Sequence, residues 1–282
     1  MSELENSHYG RMRALVFSAA LLILFFRLYS GTMLHQLHTP ILISPEADNT
    51  YWLFHLTGIP QLLVSNYWIA LLFDILFFLF ASLSLIYSER RIFPVLFWIF
   101  LVCYCISFNS FLGQHLHTLA GLFFIVIPFM MNKKHFLFLW EGVRYYALFI
   151  YASSALWKIC RGDLWDTEHF SNILRDQSIN ILSASPGDFR IGIISFFLSH
   201  SLFAYSFFLV GLFFQLSFLA GFFTKRFDKI LIAFGILFHT AVYLLMDILY
   251  IELFVIYLSM IPFAAKVNEE IFPAEEKNTI FA

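Results

Sequence analysis

The chain has 282 residues, of which 60% are hydrophobic and 13% charged, with a mean hydropathy of +0.78. A soluble domain carries charge on roughly a quarter of its residues. Half that fraction, alongside 38 Phe, excludes a water-facing surface over most of the protein and makes lipid its solvent. A formal net charge of −2 leaves no basic surplus to neutralise phosphates, which excludes nucleic acid as a partner.

An apolar run of about 20 residues crosses a ~30 Å hydrocarbon core as a helix. Such runs are predicted at 12–36, 67–88, 92–108, 116–131, 136–158, 201–223, 230–247 and 248–264. The expected fold is therefore all-α, a polytopic membrane bundle of about eight transmembrane helices. A single kinked span through Asp247–Tyr250 would make the count seven. Residues 1–11 are expected as a cytoplasmic N-terminus, 12–264 as the transmembrane domain and 265–282 as a cytoplasmic polar tail. Arg11 and Arg13 precede the first run, which lacks a small-residue cleavage site, so it is read as an uncleaved span.

Lys and Arg set orientation. Arg11/Arg13, Arg90/Arg91, Lys133/Lys134, Lys225/Arg226/Lys229 and Lys266/Lys277 fall on alternate connections. Those connections are expected inside, giving N-in and C-in. Of the outer segments, 38–66 is rich in Pro and Gly among apolar residues and is expected to lie on the interface or re-enter. In 163–190, Asp166 or Thr167 is placed to cap a helix on which Phe170, Leu174, Gln177 and Ile181 recur at helical spacing. That helix either lies amphipathically on the outer surface or packs on the bundle.

A charge at mid-bilayer costs roughly 2.5–3.5 kcal/mol on insertion scales, so each one inside a span needs a reason. Arg27 either pairs with Asp74 on the second span or contacts an anion or ligand. Glu141 and Arg144, three apart, are expected to pair locally. Asp247 and Glu252 are placed at the last outer turn, within reach of water. Lys158 closes the fifth span. It either snorkels to headgroups or faces a closed pocket, where desolvation favours a neutral amine able to act as a base. His35, His38, His55, His115, His117, His169 and His200 gather on the outer side, but no carboxylate or thiolate completes a metal set. No metal is expected. Cys103, Cys105 and Cys160 form no CxxC pair, which argues against thiol–disulfide chemistry.

Taken in order from about Phe25 to Phe263, these residues resemble a known pattern. Phe26-Arg27 is followed by Gly31. Asn109 and Gln114-His115 follow the third span, and Arg144, Tyr151-Ala152 and Lys158 mark the fifth, with Trp165 soon after. Leu219-Ala220-Gly221-Phe222 ends the sixth span and Phe238-His239 sits in the seventh. The pattern is similar to the membrane domain of vitamin K-dependent gamma-glutamyl carboxylase and the bacterial HTTM (horizontally transferred transmembrane) proteins.

The resemblance implies a lyase that uses vitamin K hydroquinone or menaquinol. In that chemistry a lysine deprotonates the hydroquinone and oxygen converts it to a stronger base. A carbanion then forms on glutamate and takes up CO2, with a histidine stabilising developing charge. Carried over by position, Lys158 matches the base and His115 the histidine, with His117 beside it. Arg27, Arg144, His239 and Trp165 are the expected pocket residues. The carboxylase has a lysine pair where this chain has Trp157-Lys158. The sequence ends after the membrane domain, so it is expected to recruit its substrate differently or to do different work.

Two functions follow. One is a quinol-using enzyme of a bacterial inner (plasma) membrane that modifies an exported peptide or small molecule at the outer leaflet. The other is a non-catalytic accessory factor for maturation or export of a secreted peptide, bound to a partner membrane protein.

Overall fold

The computed structural model describes residues 3–37, 56–109, 121–178, 187–246 and 248–261. The described residues are helical almost throughout. In chain order the helices are α1 (Glu3–Tyr29), α2 (Ile59–Ser65), α3 (Tyr67–Ile86), α4 (Ile92–Asn109), α5 (Gly121–Met130) and α6 (Phe136–Arg161). They continue with α7 (His169–Gln177), α8 (Arg190–Ser199), α9 (Ser201–Ser217), α10 (Asp228–Met246) and α11 (Leu253–Ile256). Short 3-10 turns extend several of them, notably Leu34–Gln36 after α1, Phe218–Phe222 after α9 and Tyr257–Met260 after α11.

Among the described residues, four helices are long and apolar enough to cross a membrane: Asn6–Gln36, Tyr67–Ile86, Ser201–Gly221 and Asp228–Met246. At 26 residues α6 is of comparable length, but it carries Glu141, Arg144, Lys158 and Arg161. Large side chains such as Leu22, Phe25, Leu72, Phe149, Phe213 and Leu237 project outward and are more than half exposed. Exposed apolar surface on this scale suits hydrocarbon, and helices suit it too because they satisfy their own backbone groups there.

α6 is the shared wall of the bundle. On one side it packs against α5, which contacts α4 and α1; on the other it packs against α9, which contacts α10, α7 and α8. One apolar core accordingly joins α1, α3, α4, α5 and α6 to residues 253–260. A second, smaller core gathers Phe170 and Leu174 of α7, Ile194 and Phe197 of α8, Ala204 and Phe208 of α9, and Leu245 of α10. The helix expected in 163–190 therefore packs on the bundle through Phe170 and Leu174, and Glu168 is its N-cap residue. Asp166 accepts the Glu168 amide at 2.9 Å. Ile181 lies outside the described residues.

Helix ends follow local chemistry. Asn66 caps α3, its Oδ1 accepting the amides of Trp68 and Ile69 at 3.1 and 3.3 Å. Gly162, at φ 88°, ends α6 in the left-handed region that glycine enters without strain. The other end of α3 is closed from outside the helix by Arg13. Its guanidinium donates to the carbonyls of Ser84, Tyr87, Ser88 and Arg90 at 2.8–3.2 Å, and to the Tyr9 hydroxyl at 2.9 Å. A cation there also meets the negative end of the helix dipole. Arg13, counted from sequence among the charges of an inside connection, is 1% exposed.

Three expectations are corrected. Arg27 does not pair with Asp74. The turn Leu34–Gln36 folds back over α3, so Asp74 accepts from the backbone amide of His35 at 2.9 Å and meets its ring Nδ1 at 2.7 Å. Arg27 turns instead to Glu252, with Nε to Oε1 at 2.8 Å, and donates to the Tyr104 hydroxyl at 2.7 Å. Glu252 is thus not a water-exposed turn residue; it is 2% exposed. Last, 248–261 is no single span. Two short helical pieces follow a turn at 251–252, and the start of α5 abuts that turn so closely that a β-carbon on Gly121 would strike the Glu252 carbonyl.

Candidate functional site

α6 presents Tyr151, Ser154 and Lys158 at i, i+3 and i+7, hence on one face. This face meets α9 at Gly211 and Gln215 and α10 at Phe238, His239 and Val242. Together they line a partly open cavity of about 650 Å³, to which Phe170 and Ile173 of α7 and Tyr250 and Leu253 also contribute. Its walls are overwhelmingly apolar. The polar side chains among the lining residues are Tyr151, Ser154, Lys158, Gln215, His239 and Tyr250.

The Lys158 amine donates to Gln215 Oε1 at 2.7 Å and stands 5.8 Å from the centroid of the Phe238 ring, within cation–π range. Gly211 of α9 lies opposite the Phe238 ring, where a β-carbon would make an ordinary contact at 3.4 Å. Lys158 is half-buried, and its amine is engaged by Gln215. Just past α6, Asp163 is engaged by Arg161 at 3.8 Å and His169 at 3.4 Å.

Deeper in the wall, the Tyr151 hydroxyl meets His239 Nε2 at 2.7 Å and also bonds the Tyr257 hydroxyl. The Tyr151 ring stacks on Phe218 at 4.1 Å between centroids. His239 Nδ1 is buried and has no hydrogen-bond partner among the described residues.

Of the residues singled out from sequence, Lys158 and His239 come together on this cavity. Arg144 does not line it. It points at Asp228 and is held by two bonds of 2.7 Å, with the Gly221 carbonyl at 2.9 Å and Glu141 at 3.4 Å. The local Glu141 pair exists, but it is secondary to Asp228. Arg27 is committed to Glu252 and Tyr104. Trp165 is 79% exposed and stands outside the cavity. His115 and His117 lie outside the described residues. Among the described residues no three His, Cys, Asp or Glu side chains group as a metal set.

Sequence reasoning missed Gln215 and Tyr257. Gln215 had a signal, as the single amide in the apolar run of α9, where an uncompensated polar group is costly. Tyr257 had none, since its role depends on the turn that precedes it. No family model, no curated protein and no solved structure matches the chain.

Proposed function

We propose that the protein is a membrane enzyme that takes a reduced isoprenoid quinone, vitamin K hydroquinone or menaquinol, into this cavity and uses Lys158 as base to modify an exported peptide or small molecule. The observation that carries this reading is a single amine set in a partly open, apolar cavity of about 650 Å³. That volume is typical of small-molecule sites, and the chemistry of the wall fits the group. Phe170, Phe238 and Val242 suit a ring and an isoprenoid tail, and the few polar side chains suit ring oxygens.

Bound there, the reduced quinone supplies, on reaction with oxygen, a base strong enough to take a carbon-bound proton. The protein's own part is local. Gln215 Oε1 accepts one N–H of the Lys158 amine, which holds the nitrogen at the cavity wall within reach of a ligand hydroxyl. Lys158 Nζ accepts that proton. The apolar walls keep water from quenching the reacting groups. The resemblance to the carboxylase supports the same assignment and adds His115 as the charge-stabilising histidine. An inside N-terminus and five crossings up to the end of α6 set Lys158 near the outer face, where an exported substrate is met. In support, Arg90, Lys133, Lys134 and Lys225 belong to connections at the opposite end of α6 and its neighbours.

The test uses membranes containing the protein, supplied with menaquinol, oxygen, labelled bicarbonate and an exported glutamate-containing peptide. Label enters the peptide with the wild type and not with Lys158→Ala, while both proteins remain inserted and folded. Equal incorporation by Lys158→Ala sinks the proposed base and favours the accessory-factor reading.

A further inference from the structure

Gln215 holds more than its bond to Lys158. The side chain is 4% exposed, and an amide set in an apolar run is costly unless its groups are partnered. The lysine amine carries the hydrogen of their 2.7 Å bond, so the amide oxygen Oε1 faces it. The amide nitrogen stands beside that oxygen, separated from it by one carbon. It bears two hydrogens and has no hydrogen-bond partner among the described residues. His239 Nδ1 is unpartnered too, but sealed; the Gln215 nitrogen is open to a molecule the size of water. The open space at this side chain is the cavity it lines. Lys158 Nζ and Gln215 Nε2 therefore share one corner of the cavity, close enough for a single ligand oxygen to meet both.

We propose that Gln215 Nε2 donates a hydrogen bond to the ligand oxygen from which Lys158 takes the proton. The inference rests on the quinone reading above and sharpens it. In that transfer the ligand O–H bond breaks and an N–H bond forms on Lys158. The amine becomes an ammonium, and the oxygen keeps the electron pair and a negative charge. A hydrogen bond to an ionised acceptor is roughly twice as strong as one to a neutral acceptor. The Gln215 donor therefore favours the ionised oxygen over the hydroxyl. Glutamine suits both duties. A glutamate would also accept from the amine, but its charge would hold the lysine protonated and repel the ionised oxygen. The ligand is narrowed accordingly: at this corner it carries an oxygen that accepts a hydrogen bond while giving up its own proton, as a phenolic ring oxygen does.

The test uses the purified protein in nanodiscs with menadione carrying 13C at its carbonyls, read by difference infrared spectroscopy and by binding titration. The variants are Lys158→Met and Lys158→Met with Gln215→Met, neither of which strands a charge. Gln215→Leu serves in the pair should the second methionine prevent folding. In the wild type a bound carbonyl band lies below its position for menadione in lipid alone. Lys158→Met retains part of that shift, because the amide donor remains. The double variant loses the rest, and its affinity falls about tenfold below that of Lys158→Met, the worth of one hydrogen bond. If Lys158→Met and the double variant give the same band, Gln215 does not touch the ligand; this inference is overturned and the quinone reading stands. A wild type that binds no menadione overturns the quinone reading and this inference with it.

Discussion

Arg144 and Asp228 form a two-pronged ion pair, Nε to Oδ2 and Nη2 to Oδ1 both at 2.7 Å, with each side chain nearly sealed from solvent. The pair ties the middle of the bundle to the start of α10. Removing one member strands the other as a lone buried charge, which costs about 3–5 kcal/mol, whereas replacing both by apolar groups is often close to neutral. Arg144→Met and Asp228→Leu alone are expected to lower the melting temperature in detergent sharply. The double variant is expected to recover most of that loss. Additive losses in the double variant contradict the pairing.

Arg13 closes α3 with all its donors in use. A lysine keeps the charge but offers three donors in place of five and no planar fork. Arg13→Lys is expected to destabilise by on the order of 1–3 kcal/mol for each carbonyl left dry. Amide exchange should quicken selectively over residues 82–90. Uniform quickening across the bundle argues against a local cap.

Gly235 leaves room for the Tyr257 hydroxyl. Gly235→Ala overpacks this point and is expected to cost about 1–3 kcal/mol. Adding Tyr257→Phe removes the oxygen and restores part of the loss. If the second change brings no recovery in thermal stability, the steric account fails.

Val242 lines the cavity. Val242→Trp is expected to fill it, so that solvent extraction of the purified protein and mass spectrometry find less bound quinone, at a melting temperature close to the parent's. Undiminished quinone in that variant places the ligand elsewhere.

Glu89, outside the spans, is bonded by the Lys133 amine at 2.6 Å. This bond, then the lysine's charge, holds its carboxyl below the ordinary carboxylate value. A carboxyl depressed by folding adds stability above its unfolded value and loses it as pH falls through the folded one. Glu89 is exposed, so the gain is at most about 1 kcal/mol and weakens with salt. Between pH 7 and 3, Glu89→Gln is expected to flatten a small part of the acid-side fall in melting temperature. Identical curves remove any contribution from this pair.

The helices were legible in the sequence because long apolar runs have few alternatives in lipid. α1, α3, α4, α6, α9 and α10 lie close to where those runs place them. The separate helix α8 was not legible, because Arg190–Ser199 reads on smoothly into the following run and the break falls at His200 alone. Charge partners were the hardest part. Spacing identifies a neighbour one turn away, as with Glu141 and Arg144. It carries no trace of Asp228, 84 residues on from Arg144, or Glu252, 225 residues on from Arg27. Lys158 and His239 were recognisable as polar groups in apolar runs, and their meeting on one cavity came only from how α6 packs against α9 and α10.

The separation between Arg27 and Glu252 has a meaning for how the protein is made. At about 5–20 residues per second, the ribosome needs roughly ten to forty-five seconds to pass from one to the other. Throughout that interval the first helix holds a guanidinium whose counter-charge does not yet exist. A chain stopped short of Glu252 lacks the carboxylate that pairs with Arg27 in the folded protein. The final turn of the bundle is what supplies the counter-charge.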